Sequence, residues 1–283
     1  MNGIKTTLLL GLLSGFLLVG GRALGGERGL FYGLLLAIGM NFFSYFFSEK
    51  MALMASRAQR VSETEYPEIY SRLEPLVRPL AERMSIPMPK LWVTPDLSPN
   101  AFATGRNPEH ASVAVTSGIL QIMNDRELTA VLAHELGHVK NRDILISSIA
   151  ATLASAITYL AQMAMWFGGG SRDDRDRRDG SPIAALLMIF LAPLAAGLIR
   201  MAISRTREFS ADATSAKTLG TAQPMINALV TLDSVGKQIP LDASPSMSHM
   251  YIMKPFAGGN FLKLFSTHPP TDERIAALRA LGT

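Results

Sequence analysis

At 283 residues the chain has room for up to two domains of ordinary size, taking about 150 residues for each. Apolar residues make up 48% and charged residues 18%, with a mean hydropathy of +0.21, which excludes low-complexity disorder and a wholly soluble, well-hydrated globule. The net charge of +4 is gathered by no nucleic-acid-binding pattern, so no nucleic-acid partner is expected, and the lack of cysteine leaves nitrogen and oxygen to hold any metal.

The apolar surplus falls in four uncharged runs: residues 6–21, 29–47, 144–167 and 183–199. At 1.5 Å per residue the second and third reach roughly 28 and 36 Å, enough for a hydrocarbon core of about 30 Å. The first and fourth reach about 24 and 26 Å and cross if flanking residues such as Lys5 and Arg22 snorkel. A cleaved signal peptide is the competing reading of the first run. Arg22, standing where small uncharged residues precede a cleavage site, and the second run close behind favour a retained helical hairpin. Gly11 and Gly15 form a G-x-x-x-G through which that helix packs on a neighbour.

Four segments follow: an N-terminal transmembrane hairpin (1–47), a first domain half (48–143), a second hairpin (144–199) with a charged, glycine-flanked loop at 168–182, and a second domain half (200–283). A two-span hairpin between them brings the two halves out on one membrane face, where they fold together. Lys and Arg near the span ends are more numerous on that face, which places the domain in the cytoplasm under the positive-inside rule.

Within the first half, His134-Glu135-Leu136-Gly137-His138 is an H-E-x-x-H motif. Residues four apart share a helix face, so both imidazoles can grip one metal ion while Glu135 stands beside them, placed to take a proton from water. Leu128, Val131 and Leu132 recur at helical spacing, and with Asp125 as N-cap the spacing predicts a helix over 126–140. Gly137 in its interior calls for another element packed close to the metal. A catalytic zinc takes a third protein ligand, and the residues just after His138 run straight into an apolar segment. The best candidate is Glu208, with Asp212 one turn on to accept the N–H of a ligating imidazole; the alternative is an exposed acid paired with Arg205 or Arg207.

Together with PNAFATG at 99–105, HELGHVKNRD at 134–143, REFSADA at 207–213 and STHPPTDERI at 266–275, the chain resembles the HtpX-type membrane zinc metalloproteases, relatives of the CAAX prenyl proteases and of Oma-type peptidases. The resemblance implies a mainly α fold with a small β-sheet: a multi-span helical membrane protein carrying a gluzincin-like zinc peptidase domain. It implies one Zn²⁺ per chain on His134, His138 and Glu208, with Glu135 as general base. Strands are expected at 91–94, 101–104 and 112–116. In similar peptidases an edge strand pairs with the substrate backbone, and Val113, Ala114, Val115 and Thr116 are assigned that role. His268 is assigned as donor to the developing oxyanion, and Arg274 as the partner of a buried acid; a loop histidine held by two prolines is the plain alternative for His268. The implied activity is cleavage of misfolded or damaged membrane proteins in a bacterial inner membrane during stress, alongside other quality-control proteases. A CAAX-type processing peptidase and a non-enzymatic membrane scaffold or chaperone are the alternatives.

Overall fold

The uncharged N-terminal runs form α1 (Asn2–Ala55), in a computed structural model that describes residues 2–146, 149, 205–236 and 269–282. A straight helix of 54 residues would extend about 81 Å and hold Ser14 and Asn41 about 40 Å apart. Asn41 Nδ2 instead donates to Ser14 Oγ at 2.8 Å, so α1 reverses. The reversal is at Gly26, whose φ of +58° is a left-handed conformation that glycine adopts without a Cβ clash. Gly33 then lies directly against the first arm, since a Cβ there would stand 2.5 Å from the Leu17 carbonyl oxygen. The contact expected of Gly11 and Gly15 is not seen among the described residues: nothing lies within 4 Å of a Cβ at either position. Gly26–Ala55 is long and apolar enough to cross a membrane, and only 17% of its apolar window is buried, unlike the core helix of a soluble domain.

After α1 come β1 (Gln59–Val61), α2 (Pro67–Met84), β2 (Lys90–Thr94), β3 (Ala101–Gly105), β4 (Ala111–Thr116) and α3 (Ser117–Ile122). Then follow α4 (Asp125–Lys140), α5 (Arg205–Leu219), α6 (Gln223–Gly236) and α7 (Thr271–Ala280). The described residues are thus mostly helical with one small mixed sheet, ordered β1-β2-β4-β3. β2 and β4 run parallel, while β1 and β3 add antiparallel at the two edges. Strand alternation sends Leu91, Val93, Val113 and Val115 into the main core. The other face presents Phe102 and Ala114 to Ala52 and Leu53 of α1, with Trp92 alongside. Polar groups complete that junction: Ser112 Oγ donates to Glu49 Oε1 at 2.7 Å and accepts from Trp92 Nε1 at 3.0 Å.

The centre of the core is α4. Leu128, Val131, Leu132, Leu136 and Val139 are fully buried against the sheet, α2, α5 and α6. Its N-cap is Asn124 rather than Asp125, because the Asn124 side chain accepts the N–H groups of Arg126 and Glu127, both at 3.0 Å. Arg72 of α2 seats the same end, donating to the Leu120 and Met123 carbonyls and to Asp125. Apart from Ile144–Ile146 and Ile149, the apolar runs 144–167 and 183–199 lie outside the described residues, as does the loop 168–182.

Gly137 has the close neighbour its position called for. A Cβ there would stand 3.4 Å from the Ala211 Cα and from the Thr214 Cβ of α5. One methyl group just fits, so Gly137→Ala should change stability by no more than about 1 kcal/mol, the helix-propensity gain offsetting the contact. Gly137→Val should separate α4 from α5 and cost about 1–3 kcal/mol. Thermal unfolding of the detergent-solubilised variants measures both, and equal stability of the two would contradict this packing.

Candidate active site

Two helices supply the centre of the site. On α4, His134 and His138 lie one turn apart and their rings meet edge to face, with centroids 4.8 Å apart. On α5, Glu208 brings its carboxylate between them: Oε2 is 3.6 Å from His134 Nε2 and Oε1 is 3.6 Å from His138 Nε2. One ligand atom from each residue lies within 4.8 Å of the others. Nitrogen and oxygen ligands at about 2.0–2.1 Å from a tetrahedral zinc lie about 3.3–3.4 Å apart, so each histidine-to-carboxylate separation is already near that spacing. His134 Nε2 is buried and makes no hydrogen bond, which is the environment of an atom whose partner is a metal. Two imidazoles and a carboxylate suit zinc and leave a fourth position for water or substrate.

Each imidazole is backed by an aspartate. His134 Nδ1 faces Asp212 Oδ1 at 2.8 Å, close enough for an ion pair though off the line of a well-formed hydrogen bond. His138 Nδ1 lies 3.2 Å from Asp143 Oδ2. Asp212 in turn receives two bonds from Arg274 of α7, Nε to Oδ2 at 2.8 Å and Nη2 to Oδ1 at 2.6 Å. Arg274 is 1% exposed, so this bidentate pair is fully desolvated. Burial alone would raise the Asp212 carboxyl, but the charge and hydrogen bonds of Arg274 outweigh it and hold Asp212 down at about 2, with His134 helping. Burial likewise opposes charge on His134, yet Asp212, with a smaller share from Glu208, raises it to about 9 in the metal-free chain. Arg207 of α5 stands behind Asp143, its Nη1 at 3.9 Å from Oδ1.

Glu135, between the two histidines in sequence, reaches the sheet with one oxygen: its Oε2 accepts the Ala103 N–H at 3.0 Å. Ala103 belongs to β3, the edge strand, and this bond shows that its amide faces outward. The placement of Val113, Ala114, Val115 and Thr116 at a sheet edge is overturned. They form most of β4, which is paired on one side by β2 and on the other by β3 and is buried along its whole length. A β-rich sequence marks a strand without marking its neighbours, and the most apolar strand is the one a sheet encloses. His268 lies outside the described residues, which resume at Pro269. Asp143 emerges as a partner of the His138 imidazole, a role that motif spacing does not assign. It follows His138 by five residues and is folded back by the left-handed turn at Arg142 (φ 58°), so its one sign in the sequence is an acid just past the helix end.

The paired charges fix how the metal-free protein responds to pH. Asp212 titrates at about 2 when folded against 3.8 ordinarily, so its contribution is present above about pH 4 and is lost as pH falls through the folded value. His134 titrates at about 9 against 6.5, so its contribution is complete below pH 6.5 and is lost as pH rises through 9. Unfolding temperatures of metal-free protein from pH 2 to 10 should decline at both ends. Asp212→Asn should flatten both limbs, and an unchanged profile in that variant would refute the assignment.

Comparison with known proteins meets this geometry. The model of peptidase family M48 matches residues 68–281. The chain is 50% identical to "Protease HtpX homolog" of Thermodesulfovibrio yellowstonii, covering 100% of this chain and 99% of that one. It is 47% identical to the protein of the same name from Pelotomaculum thermopropionicum, with full coverage of both, and 49% identical to that of Desulfatibacillum aliphaticivorans, covering 98% and 89%. The crystal structure of S. mikatae Ste24p shares the fold with a TM-score of 0.51 at 21% identity, covering 98% of this chain, which spans 65% of that one. The resemblance read from the motifs is therefore confirmed, and with its buried His, His and Glu trio the chain belongs to peptidase family M48 as a membrane-associated, zinc-dependent protease.

Proposed function

We propose that the chain is a multi-pass endopeptidase of a bacterial membrane that cuts loops and tails of misfolded or damaged membrane proteins on the cytoplasmic side. The observation that carries this reading is the convergence of His134, His138 and Glu208 beside Glu135, on a helix that ends three residues before the apolar run starting at Ile144. A site so close to that run meets chain emerging from the bilayer. The reversal of α1 at Gly26 supports a hairpin as the N-terminal anchor, with 144–199 as the second.

His134, His138 and Glu208 hold the zinc in this reading, which when bound supplies a Lewis acid to polarise the scissile carbonyl. Asp212 and Asp143 keep the Nδ1 protons on their own side of each ring, leaving both Nε2 lone pairs toward Glu208. Glu135 takes a proton from the attacking water and delivers it to the leaving amine. The outward N–H and C=O of Ala101 and the outward C=O of Ala103, whose N–H serves Glu135, pair with the substrate backbone, in place of β4. Main-chain pairing reads no side chains, which suits a protease with varied misfolded substrates. His268 donates to the developing oxyanion; the anchoring of α7 through Arg274 supports this, because His268 precedes Thr271 by no more than about 11 Å of chain.

Glu135→Gln should keep stoichiometric zinc and lose peptide cleavage by at least about a hundredfold, as removal of a general base does. Glu208→Ala should lose zinc itself, read by metal analysis of the purified protein. A cleaving Glu135→Gln variant, or a Glu208→Ala variant that retains zinc, would refute these roles. Model peptides N-methylated on the amides flanking the cleaved bond should bind about tenfold more weakly, one hydrogen bond to a strand edge being worth about 0.5–1.5 kcal/mol. Unchanged inhibition constants would remove β3 as the substrate strand.

A further inference from the structure

We infer that Arg207 and Asp143 form a positioning chain for His138, a second and softer counterpart of the Arg274, Asp212 and His134 chain. This inference rests on the reading of His134, His138 and Glu208 as the zinc ligands. The two chains have the same chemical order: a guanidinium, fully buried at Arg274 and partly buried at Arg207, a buried carboxylate, then the Nδ1 side of an imidazole whose Nε2 faces Glu208. They differ in tightness. Arg274 grips Asp212 with two bonds of 2.6 and 2.8 Å, whereas Arg207 approaches Asp143 at 3.9 Å and its buried Nη1 makes no hydrogen bond.

The local backbone explains how Asp143 comes to serve His138. Asn141 caps α4, Arg142 adopts a left-handed conformation that a residue with a Cβ takes at some cost, and the Asp143 N–H then returns to the His138 carbonyl oxygen at 2.9 Å. That turn holds the Asp143 carboxylate beneath the ring of the residue five positions earlier. A carboxylate with 5% of its side chain exposed is costly without a cation nearby, and Arg207, itself 12% exposed, is placed to supply it. Arg207 comes from the first turn of α5, immediately before Glu208. The same turn therefore delivers one metal ligand and the cation that steadies the aspartate behind another.

The pair also sits at a junction of the chain. Asp143 directly precedes the apolar run that begins at Ile144, and Arg207 follows the end of the apolar run 183–199 by eight residues. Their ion pair joins the end of α4 to the first turn of α5, so the geometry at His138 depends on how those two helix ends meet.

The test uses full-length protein in detergent, with zinc affinity measured by competition against a chromophoric chelator and ligand geometry by the visible spectrum of the cobalt(II)-substituted form. Asp143→Asn should weaken zinc about 10- to 100-fold, the range for partners of metal-binding histidines, and shift the cobalt bands. Arg207→Gln should weaken it about tenfold, with Arg207→Lys recovering most of that loss. The double variant should bind no more than about twofold weaker than Asp143→Asn alone, since both changes break one chain. Should Asp143→Asn fail to fold, the two Arg207 variants carry the test by affinity and spectrum. Wild-type affinity and spectrum in Arg207→Gln, or additive losses in the double variant, would overturn the inference. His138→Ala separates the two levels: if it binds zinc as wild type does, the ligand set itself is wrong and this inference falls with it, whereas loss of zinc there beside an unaffected Arg207→Gln sinks the positioning chain alone.

Discussion

The carboxylate of Asp212 stands between a guanidinium and an imidazole that belong to different parts of the chain. Arg274 of α7 holds both of its oxygens, and His134 of α4 faces one of them. Removing three ionisable groups from water costs several kcal/mol for each ion, and the cost is offset only while every member keeps its partners. None of the three helices can shift alone without leaving a buried charge unmatched. Because Glu208 lies one turn before Asp212 on α5, the anchoring of Asp212 also sets where Glu208 meets the histidines. Residues from positions 134 to 274 are thus gathered by one desolvated ion pair, and the candidate metal site is a consequence of that pair rather than a separate construction.

Close contact between α4 and α5 makes this possible. Gly137 presents no side chain toward Ala211 and Thr214, and Ser215 Oγ donates to the Ala130 carbonyl oxygen at 2.8 Å two turns away. Ala130, His134 and Gly137 on one helix therefore meet Ser215, Asp212, Ala211 and Glu208 on the other along a single seam. A bulkier residue at 137 would widen the seam at the level where the imidazoles and the carboxylate converge.

Legibility in the sequence follows the range of the interactions. The H-E-x-x-H helix is readable because its apolar spacing and its chemistry are both local, and the strands expected at 91–94, 101–104 and 112–116 form within a residue or so as β2, β3 and β4. Order within the sheet is not readable: β4 is the most apolar of the three, and that character reflects cover on both faces and pairing on both sides rather than an edge. The N-cap differs by one residue from the expected Asp125 because Asn124 and Asp125 are both good caps and only the backbone geometry decides between them. For Asp143, spacing establishes no role. Its contact with His138 depends on a left-handed Arg142, a conformation no propensity would assign there. Arg207, adjacent to Glu208 and a natural partner for it on sequence grounds, turns instead toward Asp143.

The sheet has a second task that follows from its two buried faces. Its rear face takes Ala52 and Leu53 from the end of α1, with Glu49 fixed through Ser112 and the Arg106 guanidinium lying 5.6 Å from the centre of the Phe46 ring. Its front face packs on α4, and its outer strand carries the Ala103 amide that holds Glu135. Phe102 and Ala103 are neighbours on one short strand, so a displacement of α1 felt at Phe102 reaches Glu135 through a single peptide unit. A rigid strand between an apolar helix and the Glu135 carboxylate gives that carboxylate a fixed height relative to the helix. Substrate paired along the same strand, as proposed, would be held at that height as well, which is a geometric reason for a membrane-associated peptidase to take extended chain on a strand packed against an apolar helix.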